Sequence, residues 1–205
     1  MSANQTKLHL RIPKKYTTVA STVQKLVNLS FDTGLNPCLS NVSTVLTYYS
    51  SLYQYWRLKS FKVSVRSGAT FTQPDGAACL GWKPNTDSIV NYGALEGANV
   101  VPVDLIPGSN QTSNVLSVPA SRITQASQWK NTDADIDEDS YGWIYLASDG
   151  AFTISQDLLL FLELEIEFKM LKDYTSSMKS IKSKVAEDIK KQILDNSSNL
   201  PGTHC

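Results

Sequence analysis

The chain has 205 residues, 41% of them hydrophobic and 19% charged, and a formal net charge of zero. Such a length and composition fit one globular domain with residues left over for tails, and supply enough apolar material for a sizeable core. No apolar run is long enough to span a membrane as a helix, and the opening MSANQTKLHLRIPKK lacks the apolar segment of a secretory signal, so neither is expected.

The zero net charge conceals a segregation. Residues 1–25 hold five basic residues and no acid. Residues 26–168 hold 7 basic and 15 acidic residues, a balance of −8, and residues 169–205 hold 7 and 4, a balance of +3. Basic ends on an acidic body point to an anionic partner at the ends. Cys38, Cys79 and Cys205 have neither metal-ligand spacing nor a disulfide pattern, and read as free thiols.

In chain order, residues 1–18 are polar, basic and interrupted by Pro13, which predicts a flexible arm. Runs 18–23 and 25–31 read as strands. Residues 41–56 carry Val42, Val45, Leu46, Tyr49, Leu52 and Tyr53 at helical spacing, with Asn41 or Ser43 as N-cap. A strand follows at once: Phe61, Val63 and Val65 alternate with Lys62, Ser64 and Arg66. Residues 77–84 form a short strand closed by turn residues, and 87–97 a helical turn. Two further runs contain Pro102 and Pro119, which marks them as edges or bulges. Residues 141–148 and 157–171 are the last strands. In the latter, Leu162, Leu164, Ile166 and Phe168 face one way and Glu163, Glu165 and Glu167 the other. Three like charges on one strand face need water or basic neighbours. About eight short strands with brief helices predict an all-β sandwich or barrel.

After Leu171 the pattern becomes helical. Met178, Ile181, Val185, Ile189 and Ile193 make a narrow apolar stripe beside Lys179, Lys182, Lys184, Lys190 and Lys191. An amphipathic basic helix of this kind suits a surface, either that of a nucleic acid, a membrane or its own domain. The division predicted is therefore an arm at 1–18, a β body at 19–171 and a helical, then disordered, end at 172–205.

Catalytic signals are thin. The two histidines, His9 and His204, lie in the end segments, and no phosphate-loop, metalloprotease or nucleophile-elbow motif occurs, so the chain is not expected to be an enzyme. Asp133, Asp135 and Asp137 begin like a calcium loop, but Glu138 stands where Gly is needed and Ile144 where a bidentate Glu is needed. These carboxylates then read as a solvated loop or, alternatively, as a looser cation site between subunits. Lys7, Arg11, Lys14 and Lys15, with the tail lysines, are candidates for sequence-blind contacts with nucleic-acid phosphates.

The stretch NVSTVLTYYSSLYQYWRLKSFKVSV resembles the Ser/Thr helix, aromatic pair and following strand of small plant-virus coat proteins, with the tymoviruses nearest in pattern. AACLGWKPNTDSIVNYGALEGANVV resembles their next strand, its closing turn and the lead into the strand after it. The likeness covers about residues 25–171. It implies an eight-stranded antiparallel jelly-roll sandwich and a T=3 icosahedral shell of copies of the chain, packed around viral single-stranded RNA and assembled in the host cytoplasm. It also implies subunit contacts through Tyr48, Tyr53, Tyr55 and Trp56, a host receptor that the sequence does not identify, and polyamines or Ca2+ to balance the rest of the RNA charge. The long tail departs from the tymovirus pattern and resembles, in kind only, the membrane-active helices of some insect-virus capsids. A cellular jelly-roll module of lectin type is the alternative.

Overall fold

Alternation of apolar and polar side chains drives most of the architecture. The computed structural model describes residues 5–32, 34–68, 71–72, 74, 76–84, 91–95, 99–106, 115–123, 126–133 and 140–172. Nine strands are described: β1 Gln5–Thr17, β2 Val23–Asn28, β3 Tyr53–Ser67, β4 Ala78–Lys83, β5 Asn99–Val103, β6 Leu116–Val118, β7 Lys130–Asn131, β8 Trp143–Ser148 and β9 Asp157–Leu171. Two short helices, α1 Leu39–Val42 and α2 Thr44–Leu52, precede β3, and 3-10 turns cover Tyr92–Leu95 and Ala120–Arg122. All strand pairs are antiparallel. One sheet has the order β1-β9-β3-β6, with β7 also on β3; the other has the order β2-β8-β4-β5. Met1–Leu171 is one compact unit and Lys172–Cys205 a second. The tail helix predicted for 176–196 lies outside the described residues.

One core cluster joins the two sheets. β3 and β9 contribute Leu58, Phe61, Val63, Leu160, Leu162, Leu164 and Ile166; the other sheet contributes Leu26, Val27, Leu80, Ile144 and Leu146. Each such side chain stabilises by about 1.5–3 kcal/mol when fully buried. The sheets read differently in sequence because they are covered differently. β9 alternates buried and part-exposed positions from Asp157 to Lys169, since only one of its faces meets the core. In β8 all six residues are buried. The second face of that strand packs in a separate cluster of Val23, Cys79, Leu95, Trp143, Tyr145 and Ala147.

The largest correction concerns the N-terminus. Residues 5–17 are not a flexible arm but a 13-residue strand paired with β9 along its whole length. Leu8, Leu10 and Tyr16 pack against the core and Ile12 is buried in it. Pro13 is tolerated because β1 is an edge strand, where a missing N–H interrupts no ladder. The body therefore begins near residue 5 rather than at 19. Of the run 18–23 only Val23 is in a strand, as the first residue of β2, and 18–22 is a loop: Thr18 N–H donates to Gln156 O, and Ser148 and Phe152 donate to Thr22 and Ser21.

The passage from α2 into β3 without Gly or Pro is achieved by capping. The Ser43 hydroxyl accepts from Leu46 N–H at 3.4 Å, and Tyr53, already extended at φ −112°, donates its N–H to Tyr49 O. The Asn41 amide oxygen instead serves α1, accepting from Cys38 N–H at 3.2 Å. In β3 the register shifts between Leu58 and Ser60, so Lys59 is an inserted residue that exchanges the two faces. Pro102 lies in β5, an edge strand, as its residue type predicts.

Candidate nucleic-acid interface

The face of the five-stranded sheet turned away from the core is built by the pleat. Three adjacent strands place Lys7, Glu167 and Arg57 in one row, His9, Glu165 and Ser60 in the next, and Arg11, Glu163 and Lys62 in the third. Further along, Lys15, Leu159 and Arg66 share a row. In the other direction, Gln5, Lys169 and Tyr55 share one. The three glutamates thus have basic strands on both sides, and these neighbours rather than solvent alone make the like charges tolerable.

Four ion pairs follow. Lys7 Nζ meets the Glu165 carboxylate diagonally across the ladder. Arg11 Nε lies 3.4 Å from Glu163 Oε1, Lys15 Nζ 2.8 Å from Asp157 Oδ2, and Arg57 Nε 2.5 Å from Glu167 Oε2. The Ser60 hydroxyl donates to Glu165 Oε2 at 2.9 Å. Hydrogen bonds from Lys7 and Ser60 hold the Glu165 carboxyl below its ordinary pKa, and the same contact raises that of Lys7. Lys14, on the other side of the pleat, donates from Nζ to Asn41 O at 2.9 Å and ties β1 to α1.

The four basic residues predicted for the arm are therefore all engaged within the chain. Three cations on this face, Lys62, Arg66 and Lys169, have no carboxylate partner among the described residues. Two of them lie over rings. Arg66 Cζ is 5.5 Å from the Phe161 centroid, and Lys169 Nζ is 4.4 Å from that of Trp129 and 5.5 Å from that of Tyr55. Arg57 Cζ also lies 4.4 Å from the Trp129 centroid. Lys62 borders an open cleft of about 380 Å³, which Arg11, Ser64, Ser117, Phe161 and Glu163 also line.

The predicted contact aromatics separate. Tyr48 is 61% exposed on α2. Tyr53 is half-buried, with its hydroxyl 2.6 Å from Thr6 Oγ1 and its ring stacked on Tyr49. Tyr55 lies on the outward face beside Lys169. Trp56 is fully buried and packs edge-on against Phe31 and Tyr141, at 4.8 and 5.0 Å, so it belongs to the core and not to a surface contact. Asp133 is exposed, whereas Asp135 and Asp137 lie outside the described residues, as do Lys179, Lys182, Lys184, Lys190 and Lys191. Cys38 and Cys79 are buried and form no disulfide among the described residues. Sequence reasoning placed Lys62 and Arg66 on the polar side of β3 but gave them no role. Lys169 continues the parity of the glutamates. Trp129 carries no sequence signal, because only the short pairing of β7 with β3 brings it over this face.

No family model and no curated protein matches the sequence. Solved structures do. A chain of Cocksfoot mottle virus aligns with a TM-score of 0.57 at 16% identity, covering 86% of this chain and 89% of its own. The fold is that of virus-particle jelly rolls. A tobacco necrosis virus chain aligns at 0.57 and 15% identity over 84% of this chain and 100% of its own. A Mud crab tombus-like virus chain gives 0.55 and 15%, over 88% and 87%. This jelly roll, like the resemblance in sequence, has two antiparallel sheets and few helices; seven of the eight runs expected are strands, the run 18–23 is not a strand of its own, and β1 and β7 are added.

Proposed function

We propose that the chain is the coat protein of a small non-enveloped icosahedral RNA virus, a structural role and not a catalytic one. Copies associate into a closed shell, of T=3 type by resemblance, and package single-stranded RNA through electrostatic, sequence-blind contacts. The observation that carries this reading is the pair of strand orders, β1-β9-β3-β6 and β2-β8-β4-β5, aligned over nearly the whole length of both this chain and virus-particle chains. Exposed apolar side chains on the body, including Val19, Val45, Tyr48 and Ile154, are suited to contacts between copies. The product would reside in the virion.

Size-exclusion chromatography with negative-stain microscopy of the purified chain tests the proposal. Closed shells of uniform diameter containing nuclease-protected RNA are expected. A dispersed monomer or trimer under all salt conditions would instead favour a cellular binding module.

A further inference from the structure

We propose that the outward face of the five-stranded sheet is itself the RNA-binding surface, with Lys62, Arg66 and Lys169 meeting phosphates and Phe161 and Trp129 offering rings to unpaired bases. The inference rests on the coat-protein reading and names where the RNA lies.

Charge comes first. The paired residues of the face include seven cations, Lys7, Arg11, Lys15, Arg57, Lys62, Arg66 and Lys169, against four carboxylates, Asp157, Glu163, Glu165 and Glu167. Each carboxylate is held by one cation. The surplus of three is therefore located on Lys62, Arg66 and Lys169, while residues 26–168 as a whole are acidic by −8. A basic face on an acidic body is complementary to a polyanion and selects against binding it elsewhere.

Geometry comes second. From the row of Arg66 to that of Lys169 is ten residues along β9, about 33 Å of extended strand, with Lys62 between them. That is a track for several nucleotides rather than a pocket for one. Aromatic rings lie along it at both ends: Phe161 under Arg66, and Trp129 with Tyr55 at Lys169. Cationic tracks with interleaved rings are how single strands are held without sequence preference, because every base has a face to stack. The Ser64 and Ser117 hydroxyls in the cleft beside Lys62 add donors for phosphate or ribose oxygens. The paired lysines and arginine of β1 are less available, since an incoming phosphate must displace a carboxylate.

The experiment uses the full chain and a labelled, unstructured single-stranded RNA oligonucleotide, followed by fluorescence anisotropy across a salt series. The triple variant Lys62→Ala, Arg66→Ala, Lys169→Ala should bind roughly tenfold or more weakly near 0.1 M salt, and the slope of log affinity against log salt should fall by about 2, for three phosphate contacts on a single strand. The four-fold Ala variant at Lys7, Arg11, Lys14 and Lys15 should change the slope less. RNA should quench tryptophan emission in the wild type but not in Trp129→Phe, because Trp56, Trp82 and Trp143 are at most 5% exposed. Particles of the triple variant should form and contain less RNA.

Wild-type affinity and slope in the triple variant, with its thermal transition intact, would overturn the inference while shells still upheld the coat-protein reading. So would a loss confined to anionic phosphatidylserine vesicles with RNA binding unchanged. Neither RNA binding nor shells in the wild type would overturn both.

Discussion

Glu165 sits at the centre of the charged rows, with Lys7 on one side and Ser60 on the other. Its carboxyl is held below the ordinary value of 4.5 chiefly by the Lys7 hydrogen bond, then by Ser60. A carboxyl whose pKa is lowered by folding adds stability above 4.5, and that stability is lost as pH falls through its folded value. Lys7, raised from 10.5, contributes below that value and loses its contribution as pH climbs past it. Glu165→Gln should therefore melt below the wild type at pH 7, with the gap closing as pH falls below 4.5 and through the lowered folded value, measured as paired thermal melts over a pH series. High salt should shrink the gap as well, because the Lys7 side chain is largely solvated and that of Glu165 partly so. At this scale the sequence was a partial guide. The like charges at Glu163, Glu165 and Glu167 called for basic neighbours or water, but which strands lie beside β9 is a matter of long-range pairing. Trp56 shows the converse: surrounded by four tyrosines within nine positions, it looks like its neighbours, yet the strand pleat turns it inward while Tyr55 turns outward.

β1 is the element in which sequence and structure part most. The alternation in KLHLRI, residues 7–12, is a strand signal, with Leu8, Leu10 and Ile12 on the core side and Lys7, His9 and Arg11 on the other. Pro13 and the pair of lysines after it outweighed that signal, because an interrupted basic segment near a terminus usually remains unstructured. What restores the strand is β9, whose free edge and apolar side chains need a cover. An arm could be removed without harm to the domain behind it, and a paired strand could not. Deleting residues 1–18 should abolish the cooperative thermal transition and leave insoluble protein, whereas the four-fold Ala variant of the basic residues should remain folded. Circular dichroism and soluble yield read the difference. β9 was legible to the residue for the opposite reason, being long and strictly alternating, whereas β3 was legible only from Leu58 onward, since Tyr53–Trp56 read as a continuation of the helix. The inserted Lys59 was not, since a bulge changes register without changing composition.

The order of strands in the two sheets was accessible to sequence only through a resemblance. The predominance of strands, the shortness of the helices among the described residues and the edge character of the Pro102 strand follow from local patterns. That β1 lies beside β9, separated from it by nearly the entire chain, does not. The pairing of Gln5 with Lys169 has a topological corollary. The body starts and finishes at one corner, on neighbouring strands about 5 Å apart. Joining Leu171 to Gln5 through a brief Gly/Ser bridge, and opening new ends within the polar GSNQTS run at 108–113, should give a circular permutant that melts in one step near the temperature of the parent body. Failure to melt cooperatively would mean that the corner must stay open for the sandwich to close. A tag or cargo joined directly to Gln5 or to Leu171 would leave the body from the same side, and a shell built from such a body would display both inside or both outside.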